Sequence, residues 1–117
     1  MKGLIVTADH TVQLVDDIPM PEIGPYEALV RIDCCMICNG TDMEILRGQL
    51  PEAAEYPLML GHESAGHVIR TGEKVRSFQP GDQVIRACLP SNARYASSWG
   101  SFSEYGVVLD LSLIHIS

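Results

Sequence analysis

No cluster of Lys or Arg occurs in this chain, whose 8 cationic side chains face 15 acids for a formal net charge of -7. Long-range repulsion from phosphate backbones and anionic bilayers follows, which argues against nucleic acid and membrane surfaces as partners. No run approaches the ~18 apolar residues of a membrane span, and the N-terminus reaches Asp9 too early for a signal peptide. A cytoplasmic protein is expected. Internal repeats are also lacking. The four cysteines are poorly spread for stapling a small secreted fold, since Cys34, Cys35 and Cys38 crowd one segment and Cys88 stands alone. Thiol or metal chemistry suits them better. No G-x-G-x-x-G follows a strand-like run, so a dinucleotide fingerprint is missing.

What is present suits one domain: 117 residues, 46% hydrophobic and 20% charged, far from the composition of disordered chains. Positions 3–7 and 12–18 are β-branched-rich runs around a polar turn, a hairpin pattern. Pro19, Pro21, Gly24 and Pro25 then break the chain. An imperfect period of two over 27–37 predicts a half-buried strand that delivers Cys38 at its end. Thr41-Asp42-Met43-Glu44 matches a capping box and predicts a short helix through Leu46, closed near Gly48. Positions 49–57 read as a loop, 58–60 lead into a bent or bulged strand over 61–70, and 83–87 and 101–109 read as further strands. The segment 90–100 is polar and loop-like. The expected fold is mainly β with little helix.

Cys38 and His62 are the strongest candidates for chemistry. Thiolate sulfur and neutral imidazole nitrogen are the donors that Zn²⁺ prefers, and each residue falls where a strand meets a turn. A buried small hydrophobe and a satisfied polar residue are the plainer readings of each taken alone. Cys35 and Cys38 form a C-x-x-C without a second pair, and Cys34 and Cys35 are expected to be packing residues. His67 lies five positions after His62 and, with His10, is expected at the surface or in a structural role.

Gly61-His62-Glu63-Ser64-Ala65-Gly66-His67-Val68 resembles the G-H-E-x-x-G-x-V signature of zinc-containing alcohol dehydrogenases of the medium-chain family. Cys38 with Thr41-Asp42 resembles that family's C-G-[ST]-D element, Pro80-Gly81-Asp82-Gln83-Val84 its G-D-x-V turn, and Gly100-Ser101-Phe102-Ser103-Glu104-Tyr105 its G-x-F-[AS]-E-Y strand. The four occur in the family's order across nearly all of 1–110. The resemblance implies a GroES-like, partly open β-barrel with a few short helices. It also implies one catalytic zinc per subunit on Cys38 and His62, with Glu63 a tuning neighbour or an occasional ligand and the third protein ligand lying beyond this chain. Thr41 would carry the substrate proton, and Asp42 would orient His62. One residue is inserted between Cys38 and Thr41 relative to the family's spacing, so Thr41 can instead be a helix cap and Asp42 an exposed first-turn acid.

By the same resemblance the chain is the N-terminal catalytic domain of a dehydrogenase that moves hydride from a small-molecule alcohol, polyol or amino alcohol to NAD or NADP held by a domain missing here. The full-length parent would be a homo-oligomer, and the chain alone inactive. The four-cysteine lobe of many relatives has no counterpart after Cys88. Two other readings stay open: a zinc-free quinone-reductase-like relative, and a GroES-like binding module without catalysis. Positions 111–117 resemble the translation of a sequencing-adapter end, so the expected domain is 1–110 followed by a non-native tail, the alternative being a genuine final strand.

Overall fold

The computed structural model describes residues 1–38, 40–48, 55–97 and 99–110. The expected loop 49–57 is therefore described only from Glu55 onward, and the tail 111–117 lies outside the described residues. Among the described residues eight strands and one helix follow in order: β1 (Gly3–Val6), β2 (Val12–Val15), β3 (Glu27–Cys35), α1 (Thr41–Leu46), β4 (Leu58–Met59), β5 (Ser64–Thr71), β6 (Gln83–Ile85), β7 (Ala96–Ser97) and β8 (Tyr105–Leu109). They form two four-stranded sheets, ordered β2-β1-β4-β7 and β6-β5-β3-β8. This is the mainly β, partly open architecture that the sequence motifs imply. Among the described residues no helix is long and apolar enough to cross a membrane.

The first sheet begins with the predicted hairpin, β1 and β2 pairing from Gly3 with Val15 to Val6 with Val12. β4 adds antiparallel to β1, and β7 adds parallel to β4. The second sheet is built on β3, which lies between β5 and β8. Pairing of β3 with β5 slips twice, so that Ile69 on β5 and Asp33 on β3 are each an extra residue. The expected irregularity is thus a pair of bulges, one per strand, which bend the ribbon and re-aim the end of β3.

Two apolar clusters position the elements that matter below. Val6, Leu58, Leu60 and Phe102 receive Ile45 of α1, which is only 1% exposed. Burial of a side chain of that size is worth about 2–3 kcal/mol and fixes the rotation of a helix too short to be stable alone. Asp42 sits three positions before Ile45 on the same face and is buried with it. Ala28, Val30, Val68 and Ala87 form the second cluster, under β3 and β5.

Two expectations need correction. The N-cap of α1 is Gly40, with no side-chain cap bond, and Thr41 is the first helical residue. The capping box fails because the helix opens on Gly40, one position ahead of the threonine. Cys34 and Cys35 are exposed rather than packed, since β3 beyond its bulge runs past the buried cluster.

Candidate metal centre

Cys38 lies just beyond β3, at the entry to α1, while His62 and Glu63 lie in the passage from β4 to β5. One donor atom from each comes within 4.8 Å of the other two. A thiol, an imidazole and a carboxylate so placed are a donor set that a borderline-soft divalent ion accepts.

Local hydrogen bonds explain the placement. The Asp42 N–H donates to the Cys38 carbonyl at 3.1 Å, and the Cys38 N–H donates to Asp42 Oδ2 at 2.7 Å, closing a ring that holds the cysteine over the helix start. The Thr41 N–H donates to Cys38 Sγ at 3.4 Å. That amide first, then the Thr41 hydroxyl and the Gly40 amide, pull the Cys38 thiol below its ordinary pKa, against the opposing effects of burial and the Glu63 charge.

Asp42 is 5% exposed, so it is not the exposed first-turn acid of the plainer reading. Its Oδ1 is buried without a hydrogen-bond partner and faces His62 Nδ1 at 3.6 Å. A buried carboxylate oxygen left in this way is costly unless a donor closes on it, and a proton on Nδ1 is such a donor. His62 Nε2 is then free to bind a metal, and Glu63 Oε1 lies 4.0 Å from it. The residues therefore fit a zinc ion: two preferred donors, a carboxylate beside them, and an acceptor facing the other imidazole nitrogen.

The remaining candidates lie apart from this cluster. His67 pairs with the bulge residue Asp33 at 3.0 Å on the exposed face of the second sheet. His10 stacks edge-on against Tyr56, with ring centroids 5.5 Å apart. Burial raises the thiol pKa of Cys88, and burial followed by the Cys34 charge raises that of Cys35. Beside Glu63 opens a cleft of about 390 Å³, lined by Cys35, Met36, Ile85 and Arg86 among others. The segment after Cys88 contains no thiol and is tied down by other bonds. Tyr95 and Arg94 both bond Asp17, and Asn92 Oδ1 accepts the Arg94 and Tyr95 amides at 2.9 Å.

Two sheets converge on a Cys, His and Glu cluster of a kind that could hold a metal ion. Residues 24–117 match the alcohol dehydrogenase GroES-like domain, and the chain belongs to that family. It is 37% identical over 110 residues to an alcohol dehydrogenase of Cupriavidus necator, covering 93% of this chain and 29% of the relative. It is 39% identical over 105 residues to a sorbitol dehydrogenase of Bombyx mori, covering 74% and 30%. The chain thus spans about three tenths of the length of these curated relatives. Among solved structures it resembles the glucose dehydrogenase of Haloferax mediterranei in complex with NADP, zinc and gluconolactone. That likeness has a TM-score of 0.73 and 26% identity, over 94% of this chain and 37% of that one.

Proposed function

We propose that this domain is the zinc-holding part of an NAD(P)-dependent dehydrogenase for alcohols, polyols or amino alcohols, with Cys38, His62 and Glu63 as its metal donors. The observation that carries this reading is the convergence of the three donors within 4.8 Å beside an unpartnered, buried carboxylate oxygen. The family and the dehydrogenases related to the chain support the class of reaction. Two groups supply the chemistry that these side chains lack: zinc, a Lewis acid that lowers the pKa of a substrate hydroxyl, and a nicotinamide on a second domain, a hydride acceptor.

The chain's own residues prepare that chemistry. Thr41 and Gly40 hold Cys38 toward its thiolate form, the form that ligates. Asp42 anchors the Cys38 backbone with one oxygen and orients His62 with the other. The Thr41 hydroxyl, stationed at the cysteine sulfur, is the group we assign to carry the substrate proton outward. Glu63 adds negative charge at the site's rim and moderates the electrophilicity of a bound cation.

Metal analysis of the protein that carries this domain tests the reading, together with NAD(P)-linked oxidation of a panel of alcohols. One zinc per subunit is expected. Two would refute the thiol-free reading of the segment after Cys88, and none would refute the donor assignment and favour a binding module. Cys38→Ser and His62→Ala should each lose zinc and turnover, whereas Cys35→Ser should lose neither.

A further inference from the structure

The pair His62-Glu63 belongs to no strand, so its placement is decided by what grips its two ends. Before it, the Gly61 carbonyl accepts the Ser101 N–H at 3.0 Å, and the Leu60 carbonyl accepts the Phe102 N–H at 3.0 Å. After it, the Ser64 hydroxyl donates to the Ser101 hydroxyl at 3.1 Å, and the Ser101 hydroxyl donates to the Ala87 carbonyl. Ser101 is 0% exposed. Among the described residues it is the one that bonds both flanks of the pair.

Other bonds tie each end of the passage to one side only, the Leu60 N–H to the Leu4 carbonyl of β1 at 3.4 Å and the far end toward the second sheet. The Met36 N–H donates to the Glu63 carbonyl at 2.9 Å, and the Arg86 N–H to the Ser64 carbonyl at 3.0 Å. Ser101 spans the exit from β4 and the entry to β5 at once. Its hydroxyl both accepts and donates, which alanine cannot do, and a buried hydroxyl chain of this kind holds one arrangement because each member has its partner.

We propose that Ser101 is the positioning residue of the metal-binding pair, clamping Gly61 through its backbone and Ser64 through its side chain so that His62 and Glu63 stand at ligating distance from Cys38. This rests on the metal reading above. Ser101→Ala keeps the backbone grip on Gly61 but leaves Ser64 free to turn and the Ala87 carbonyl without that donor. The spacing of the donors then loosens, although no donor has been removed.

The test is titration of the whole protein that carries this domain with Co²⁺ alone, read by thiolate charge-transfer and d–d absorption and by competition with a chelator. Melting of the metal-free protein is recorded alongside. Ser101→Ala and Ser64→Ala should each bind Co²⁺ about 10–100-fold more weakly, with a changed d–d band, as partners that orient ligands generally do. Ser103→Ala serves as the control. Its hydroxyl bonds the Gly100 and Tyr105 carbonyls in the same turn but neither flank of the pair, so melting should fall while Co²⁺ affinity holds. Should Ser101→Ala fail to fold, Ser64→Ala, at a half-buried position, decides alone. Unchanged Co²⁺ binding in the folded variants overturns the proposal, as does equal weakening in Ser103→Ala. Failure of the unmutated protein that carries this domain to bind Co²⁺ overturns the metal reading itself and the clamp with it.

Discussion

Replacing Asp42 by asparagine probes the tautomer of His62 with almost no change in shape. Asp42 Oδ2 accepts the Cys38 N–H at 2.7 Å, and Oδ1 faces His62 Nδ1 at 3.6 Å. An asparagine must keep its oxygen on the Cys38 amide, because a buried N–H without an acceptor costs about 1–3 kcal/mol. Its NH₂ group then points at His62 Nδ1 and favours the tautomer that carries the proton on Nε2, the nitrogen that would ligate. Restoring the ligating tautomer sets an N–H against an N–H. Loss of an orienting partner of this kind typically weakens metal binding about 10–100-fold, or about 1.4–2.8 kcal/mol. Zinc affinity of Asp42→Asn, measured by competition with a chromogenic chelator, should fall by that factor while the metal-free melting temperature moves by only a few degrees. Asparagine binding zinc as tightly as aspartate would refute the reasoning, since the Asp42 charge and acceptor would then have no hold on His62.

Three further outcomes are expected. In the metal-free chain, iodoacetamide alkylation followed by peptide mass spectrometry should give Cys38 a midpoint below the ordinary thiol value of 9.0, and Cys35 and Cys88 midpoints above it. Because the folded pKa of Cys38 is depressed, its contribution to stability is full above the unfolded value and is lost as pH falls through the folded one; a reversed order of midpoints would contradict the amide bonds at its sulfur. Gly61→Ala should cost at least ~2 kcal/mol in chemical denaturation, because Gly61 has φ of 106° and a Cβ there would meet Phe102 at 2.6 Å; a near-neutral variant would mean that the passage yields easily. The 117-residue chain by itself should neither bind NAD(P) nor oxidise an alcohol even with zinc supplied, since hydride transfer needs donor and acceptor carbons held close and aligned; saturable calorimetric binding or turnover would overturn that.

β-branched runs around a polar turn were enough for the hairpin, and an imperfect alternation was enough for β3 and β5, although Ala28, Leu29 and Val30 are buried in succession. Neither was enough for β7. Ala96 and Ser97 carry no pattern, and their pairing with Leu58 and Met59 comes from contacts between distant segments. The high average burial of cysteine misled at Cys34 and Cys35 because a bulge, visible only once strands are paired, carries them past the core. Thr41 was placed near Cys38 by the motif but misjudged as a possible cap, since Asp42 turns inward to the Cys38 amide and the helix opens on Gly40. His62 and Glu63 could be named through the G-H-E pattern and Cys38 through the C-G-[ST]-D element, whereas spacing alone left them ordinary. The grip of Ser101 on both flanks of that pair had no local signal, being a contact that exists only in the assembled fold.

The passage that holds His62 and Glu63 is a joint: the chain leaves the first sheet at Met59 and enters the second at Ser64. Such a joint sets a timetable for synthesis. A chain emerging from the ribosome releases Cys38 and His62 well before Ser101, which lies 39 positions after His62 in the sequence. Domains tend to fold as units once enough of the chain is out. The donors would thus be in solution for some seconds as unstructured ligands, open to any soft ion, before β8 and the turn ahead of it arrive to set their spacing. On the metal reading proposed above, the choice of ion in a nascent chain would depend on how late β8 folds.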